Sequence, residues 1–334
     1  MIPVPNPTGL LLASLLVLLA WLALAALAGG LLSLAWPRPS RYWRQRPWRA
    51  VICGLLLVAL SLPGLLIQHE FRQIETEQNA RQAALHPTLS EPLTLGELTL
   101  PAGSRVTLNT LEPLDWQQQP QAHGLQSIKE AELSEPIEVL GLRIDALDLP
   151  PNHYFSRVRL VADQALEGWQ CAAGEWAEFA REIEAQYRPS QWRWKHCQLA
   201  AGNQRGGLDW PAGSLVKREI YGWRLRAADN SELSFDGLLL RSLEMSLSND
   251  GELLGWSGAL ARPLTLGEWQ HAAGTRISQD QPGHWLLTPQ LKEPSRHTGN
   301  GRQVGNAEQL RQRTADGYLL GIQANPWPDT FIWD

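Results

Sequence analysis

The sequence predicts two N-terminal transmembrane helices followed by a mainly-β extracytoplasmic domain of stacked hairpin repeats, with one or two short helices packed on it. Three observations lead there. Residues 1–67 contain no Asp or Glu and hold two uncharged runs, 10–36 and 50–67. Five arginines stand together between those runs. Beyond them a unit of alternating apolar residues with Gly and Pro corners recurs. The predicted domains are a helical hairpin over 1–67, a juxtamembrane stalk over 68–87 and a β-rich repeat domain over 88–334.

The first run, 27 residues without a charge, is long enough to cross a hydrocarbon core of about 30 Å. The second, 18 residues with Pro63 near its end, is close to the short limit. Backbone facing lipid must satisfy its own hydrogen bonds, so both runs are expected to be helical. A cleavable signal peptide fits the first run poorly: no basic residue precedes it, and a second span follows at once. The loop between them carries Arg38, Arg41, Arg44, Arg46 and Arg49. The positive-inside rule puts that loop in the cytoplasm, and both termini and the large domain in the periplasm of a bacterial inner membrane. The lipid bilayer is thus the first expected partner, and Trp36, Trp43 and Trp48 suit its interfacial belt.

Removing the loop changes the charge balance. The 29 Lys and Arg of the chain lose five, leaving 24 against 34 acidic residues, a formal −10 for residues 68–334. That argues against nucleic acid, whose affinity is largely phosphate neutralisation, and suits a basic protein partner or ordinary solubility. Residues 69–85 read as a polar helix continuing out of the membrane, closed by His86-Pro87.

The repeated unit comes next. Residues 92–106, PLTLGELTLPAGSRV, align without a gap on 263–277, PLTLGEWQHAAGTRI. Residues 166–174, LEGWQCAAG, repeat the middle, and 206–216, GGLDWPAGSLV, the end. Leu93 and Leu95, then Leu98 and Leu100, alternate as in a half-buried strand. Gly96 between them suits a bulge or bend, and Pro101-Ala102-Gly103-Ser104 is turn chemistry. One such hairpin cannot bury its apolar face alone; several stacked copies can.

Asn249-Asp250-Gly251-Glu252-Leu253-Leu254, Gly258-Ala259-Leu260, Gly267 and Ala273-Gly274-Thr275-Arg276-Ile277 resemble the degenerate MORN-like β-hairpin repeats of bacterial membrane proteins. The resemblance is clearest over 249–278 and spans under half the chain. It implies a hairpin scaffold and no catalytic residues. Some members of that group are similar to immunity proteins encoded beside secreted toxins.

Further along, 112–124 reads as an exposed polar loop, and 136–149 and 157–163 as strands. Trp176, Phe179 and Ile183 fall at helical spacing, so residues 172–187 are expected to form an amphipathic helix packed on the sheet. Cys171 and Cys197 bracket it. Two cysteines in an oxidising compartment suggest a disulfide; two buried thiols are the alternative, and a zinc site has less support because paired ligand spacing is missing. Strands are expected near 216–226, 233–247 and 253–260, a loop over 281–301, a short helix over 306–316 and a last strand over 318–322. The aromatic tail 326–334 is expected to close the core.

The residues point to no chemistry of their own. The eight histidines form no metal-binding pair, and no Gly-x-Ser-x-Gly occurs. Glu135 with Glu138, or Asp145 with Asp148, could act as a glycosidase pair, but read more simply as solvent faces of strands. No cofactor is expected. Twelve of the 16 tryptophans lie beyond the spans and their loop. Trp169, Trp210 and Trp269 occupy repeat positions and are expected in the core. Trp192, Trp194, Trp223 and Trp256 sit beside polar residues and are the candidates for an exposed partner-binding surface, where Trp and Arg concentrate binding energy. The function expected is a non-enzymatic, inner-membrane-anchored periplasmic binding protein, with an immunity protein against an envelope-acting secreted toxin as the sharpest form. A scaffold or accessory subunit of a transport or secretion complex is the alternative, followed by an envelope hydrolase or glycan-binding protein.

Overall fold

The computed structural model describes residues 7–34, 47–114, 119 and 124–326, in two compact units that meet between Leu85 and His86. The loop arginines Arg38, Arg41, Arg44 and Arg46, most of the expected loop over 112–124, and the tail after Pro326 lie outside the described residues.

The first unit is a pair of helices, α1 (Pro7–Leu34) and α2 (Pro47–Leu85). Arg49 lies in the first turn of α2, and the expected stalk is the second half of that same helix. The two helices cross closely where Gly64 meets Ala20 and the Leu16 carbonyl, with Ala23 and Ser61 also buried. Small residues at a crossing let backbones approach. The stretch 51–85 of α2 is long and apolar enough to span a membrane; the described apolar stretch of α1, 14–29, is shorter.

The second unit is mainly β. A short hairpin, β1 (Leu93–Leu95) and β2 (Leu98–Leu100), turns into β3 (Arg105–Leu108). A long hairpin, β4 (Ile128–Val139) and β5 (Leu142–Asp148), leads to β6 (Phe155–Leu160). The second short hairpin, β7 (Gln164–Leu166) and β8 (Trp169–Cys171), precedes β9 (Trp176–Ala180) and β10 (Arg193–Gln198). The third, β11 (Asn203–Arg205) and β12 (Leu208–Trp210), precedes β13 (Leu215–Glu219) and β14 (Gly222–Arg226). Next come β15 (Glu232–Phe235), β16 (Leu238–Ser248) and β17 (Leu253–Leu260). The fourth short hairpin, β18 (Leu264–Leu266) and β19 (Trp269–His271), precedes β20 (Arg276–Gln281) and β21 (His284–Thr288). The series ends with β22 (Ser295–His297), β23 (Gln303–Val304), β24 (Glu308–Arg313) and β25 (Leu319–Ala324).

One antiparallel meander runs β3-β4-β5-β6-β9-β10-β13-β14-β16-β17-β20-β21-β24-β25, with β15 added on β16. A meander alternates its connections between two ends, and every short hairpin falls at the same end. The hairpins then lie along one face as arms, because their tips reach connections at the opposite end. Glu97 N–H donates to the Tyr187 carbonyl (2.8 Å), and Glu167 pairs with Arg218 (3.7 Å). This covered face holds the core, including Val158, Leu160, Phe179, Val216, Leu225 and Met245, all buried.

The four short hairpins share one anchor. Gly103, Gly174, Gly213 and Gly274 donate their N–H to the carbonyls of Leu89, Leu160, Leu199 and Leu260, each fourteen residues earlier, at 2.6–2.9 Å. The same leucines donate back to the carbonyls of Ser104, Glu175, Ser214 and Thr275 at 2.7–3.1 Å. Positive φ at these glycines (76–84°) makes the corner, a conformation glycine adopts at little cost. Gly96 is not a bulge in one strand: it opens a two-residue hairpin turn that closes on Leu95 and Leu98.

Both helices expected in this domain are strands. The 172–187 segment contains β9, in which Ala177 and Phe179 are buried and their neighbours half-buried. That is a period of two, set by pairing with β6 on one side and β10 on the other; only Ile183–Ala185 forms a 3-10 turn. Similarly, 306–316 contains β24, held between β21 and β25. The expected 281–301 loop holds β21 and β22. In each case ladder hydrogen bonds to two neighbours outweigh weak local helical preference.

Candidate functional site

Cys171 and Cys197 form a disulfide, Cα–Cα 5.9 Å, tying arm β8 to sheet strand β10. Cys171 stands at the last position of its hairpin, where Leu100, Trp210 and His271 stand in the other three; all four are buried.

The four candidate tryptophans are buried, not exposed. Trp223 stacks edge-on against Trp169 (5.6 Å between centroids) and lies 5.2 Å from Trp194. Trp192 donates to the Ala185 carbonyl (2.8 Å) and packs near Phe179, and Trp256 meets Phe235. Their polar sequence neighbours lie on the other face of the sheet, because successive strand residues point to opposite faces. Arg193 and Arg224 face solvent while Trp194 and Trp223 face the arms.

The uncovered face carries charge. Glu130, Asp148, Arg157, Glu178, His196, Lys217 and Arg224 are successive cross-strand partners in one row over seven strands. Arg157 bonds Asp148, Arg159 bonds Asp145 (2.7 Å), and Lys195 bonds Glu178 (2.6 Å). Trp176, half-buried, lies within 6 Å of both arginines. Asp145 and Asp148 are therefore held in ion pairs with arginine. Burial lowers the pKa of His196 against the opposing pull of Glu178.

A second titratable group is the last residue of arm β18–β19. His271 receives a hydrogen bond from Ser295 Oγ at Nδ1 (2.7 Å) and meets Gln312 Oε1 at Nε2 (2.8 Å). Gln312 Nε2 already donates to the carbonyls of Leu266 and Gly317, so its Oε1 accepts and the imidazole proton sits on Nε2. Burial lowers this histidine to a pKa of about 4. His271, Ser295 and Gln312 are all sealed from solvent, so this Ser–His contact is a core network rather than a nucleophile and base. Among the described residues, no three His, Cys, Asp or Glu gather to hold a metal ion.

A cluster of exposed apolar groups lies at the sheet end opposite the arms' roots. Ile220 and Tyr221, the two turn residues between β13 and β14, are 85% and 79% exposed. Leu253 and Leu254 stand at the start of β17 in the adjacent hairpin, and Tyr154 and Tyr318 lie in connections at the same end, all exposed. Neighbouring hairpins lie about 10 Å apart at ordinary strand spacing, so Ile220, Tyr221 and Leu254 share one patch. Beside it Arg218 stacks over Trp223 (4.2 Å), and Lys217 and Arg224 flank Glu219 (3.1 and 3.8 Å). The sequence carried a signal here: Ile-Tyr is poor turn chemistry, since tight turns favour Gly, Asn, Asp and Pro.

No family model matches the chain, and no curated protein matches it.

Proposed function

We propose that the chain is a membrane-anchored, non-enzymatic binding protein, and that the helical pair holds its β domain in the periplasm of a bacterial inner membrane. The sharper form is an immunity protein that blocks a toxin acting in the envelope. The observation that carries the binding role is the tip patch of Ile220, Tyr221, Leu253 and Leu254, set beside Arg218 and Arg224. Ile220 and Tyr221 at the turn tip bury little within the domain, exposed apolar patches mark interaction sites, and Tyr and Arg are enriched at protein-binding hot spots. The anchoring role is supported by the exposed Leu15, Leu18, Leu22, Leu55 and Leu66 along α1 and α2, and by the MORN-like resemblance for the toxin link.

The test is affinity purification of the detergent-extracted protein beside its Tyr221→Ser and Leu254→Ser variants, with toxin challenge of the deletion strain. The expected result is one soluble, secreted-type partner at near-equal amount, lost in the variants, and a strain killed by that partner alone. Several membrane proteins co-purifying regardless of the patch would replace this reading with the scaffold one. Survival of the deletion strain would remove the immunity role.

A further inference from the structure

The arm layer has a gap. Along the end that bears the arms, two connections of the meander carry no separate short hairpin: the one between β14 and β16 holds only β15, which pairs with β16, and the one between β4 and β5 is the bare turn Leu140-Gly141. Beside that turn lies a groove of about 1000 Å³ between β2 and the end of β4.

Elsewhere neighbouring hairpins are stitched together. A two-residue hairpin closes on a hydrogen-bonded pair, so the next residue out points its N–H and C=O away from its partner strand. For Gln170 those groups are taken by the Asn203 side chain, at 2.9 Å each. Those of Arg143 are taken by the Gln164 side chain, at 2.7 Å each. Gln270 is paired with Arg296 on β22. The corresponding residues bordering the groove are Thr99 on β2 and Glu138 on β4. Among the described residues neither has a backbone partner on its groove side. Part of β4 also runs past the end of β3, whose pairing stops at Arg105 with Glu132.

The geometry points to a slot for one added β-strand from another protein, bound between β2 and β4 through the N–H and C=O groups of Thr99 and Glu138. The lining defines the partner's side chains. Ile137 and Leu140 make an apolar wall, while Glu97, Glu135 and Glu138 supply carboxylates with no Lys or Arg in the lining. Glu97 is fixed by Ser190, which donates from both N–H (2.9 Å) and Oγ (2.6 Å). The segment that fits is extended, with basic residues alternating with aliphatic ones. Strand addition of this kind takes affinity from main-chain hydrogen bonds and specificity from alternate side chains. The slot is independent of the tip patch: none of Ile220, Tyr221, Leu253 and Leu254 lines the groove.

The probe is a fluorescent hexapeptide of alternating Lys and Val, titrated by anisotropy into the full-length, detergent-solubilised protein. Saturable binding is expected, weakened about tenfold by Glu138→Pro, which removes the groove-side N–H while leaving the β4–β5 ladder intact. A peptide methylated on alternate backbone nitrogens should weaken by a similar factor with the wild-type protein, and decides the matter alone if Glu138→Pro fails to fold. Tyr221→Ser should bind as wild type does. Binding that does not saturate, that survives N-methylation, or that is matched by a Glu-Val hexapeptide would overturn the proposal.

Discussion

Acid should weaken the β domain through His271. Its ordinary pKa is 6.5, and in the folded chain burial brings it to about 4. Between those values the unfolded chain binds a proton that the folded chain refuses. Stability from this group is therefore fully present above about pH 6.5 and is lost as pH falls toward 4. The full difference is worth about 3 kcal/mol at 1.36 kcal/mol per unit, and about 2 kcal/mol of it is gone by pH 5. For a domain of this size that is a fall in Tm of roughly 4–8 °C. The assay is thermal unfolding of the detergent-solubilised protein, followed by tryptophan fluorescence at pH 7.5 and pH 5, for wild type and His271→Leu. The variant is less stable at both pH values, because Ser295 and Gln312 each lose a partner inside the core, at about 1–3 kcal/mol apiece. Its Tm should nevertheless fall less between the two pH values than that of wild type. Equal falls would refute the reasoning, as would an NMR titration placing the His271 ring near its ordinary pKa.

Three further outcomes are expected. Gly267→Ala should destabilise by about 2 kcal/mol or more, because a Cβ there meets the Gly317 carbonyl at 2.6 Å with φ at 57°; chemical denaturation reads it, and Gly141→Ala, with nothing in reach of the added Cβ, should cost less. Reducing Cys171–Cys197, or replacing both with Ser, should lower stability by about 3 kcal/mol on the chain-entropy account, visible as a lower denaturation midpoint on non-reducing and reducing titrations compared. Asn203→Ala should cost roughly 1–3 kcal/mol by leaving the Gln170 N–H and carbonyl unsatisfied between two arms, and hydrogen exchange at Gln170 should rise with it.

The recurring Pro-Ala-Gly-Ser and Ala-Ala-Gly corners were legible because glycine at positive φ is a local demand, independent of what surrounds it. The Cys171–Cys197 pairing was legible for a similar reason: only two cysteines lie beyond the helices. The strand at 176–180 was not. Trp176, Phe179 and Ile183 fit a helix as well as they fit a strand with Trp176 on the opposite face, and pairing with β6 and β10 decides between them. The same holds for 306–316. The tryptophans show the limit most clearly. Trp194 and Trp223 have charged neighbours in sequence, and only the placement of arms on one face of the sheet makes those neighbours the outer side and the indoles the core.

By itself the sequence determined the uncharged N-terminal runs, the corner glycines, the disulfide and the β-rich character, since each follows from composition or from backbone conformations few residues adopt. The tertiary structure decided which face of the meander is covered, where the arm tips dock and which connections lack a separate arm. Those depend on hydrogen bonds between segments about ninety residues apart, as between Glu97 and both Tyr187 and Ser190. No local pattern encodes such contacts, because each partner's own sequence is compatible with several neighbours until the sheet order selects one.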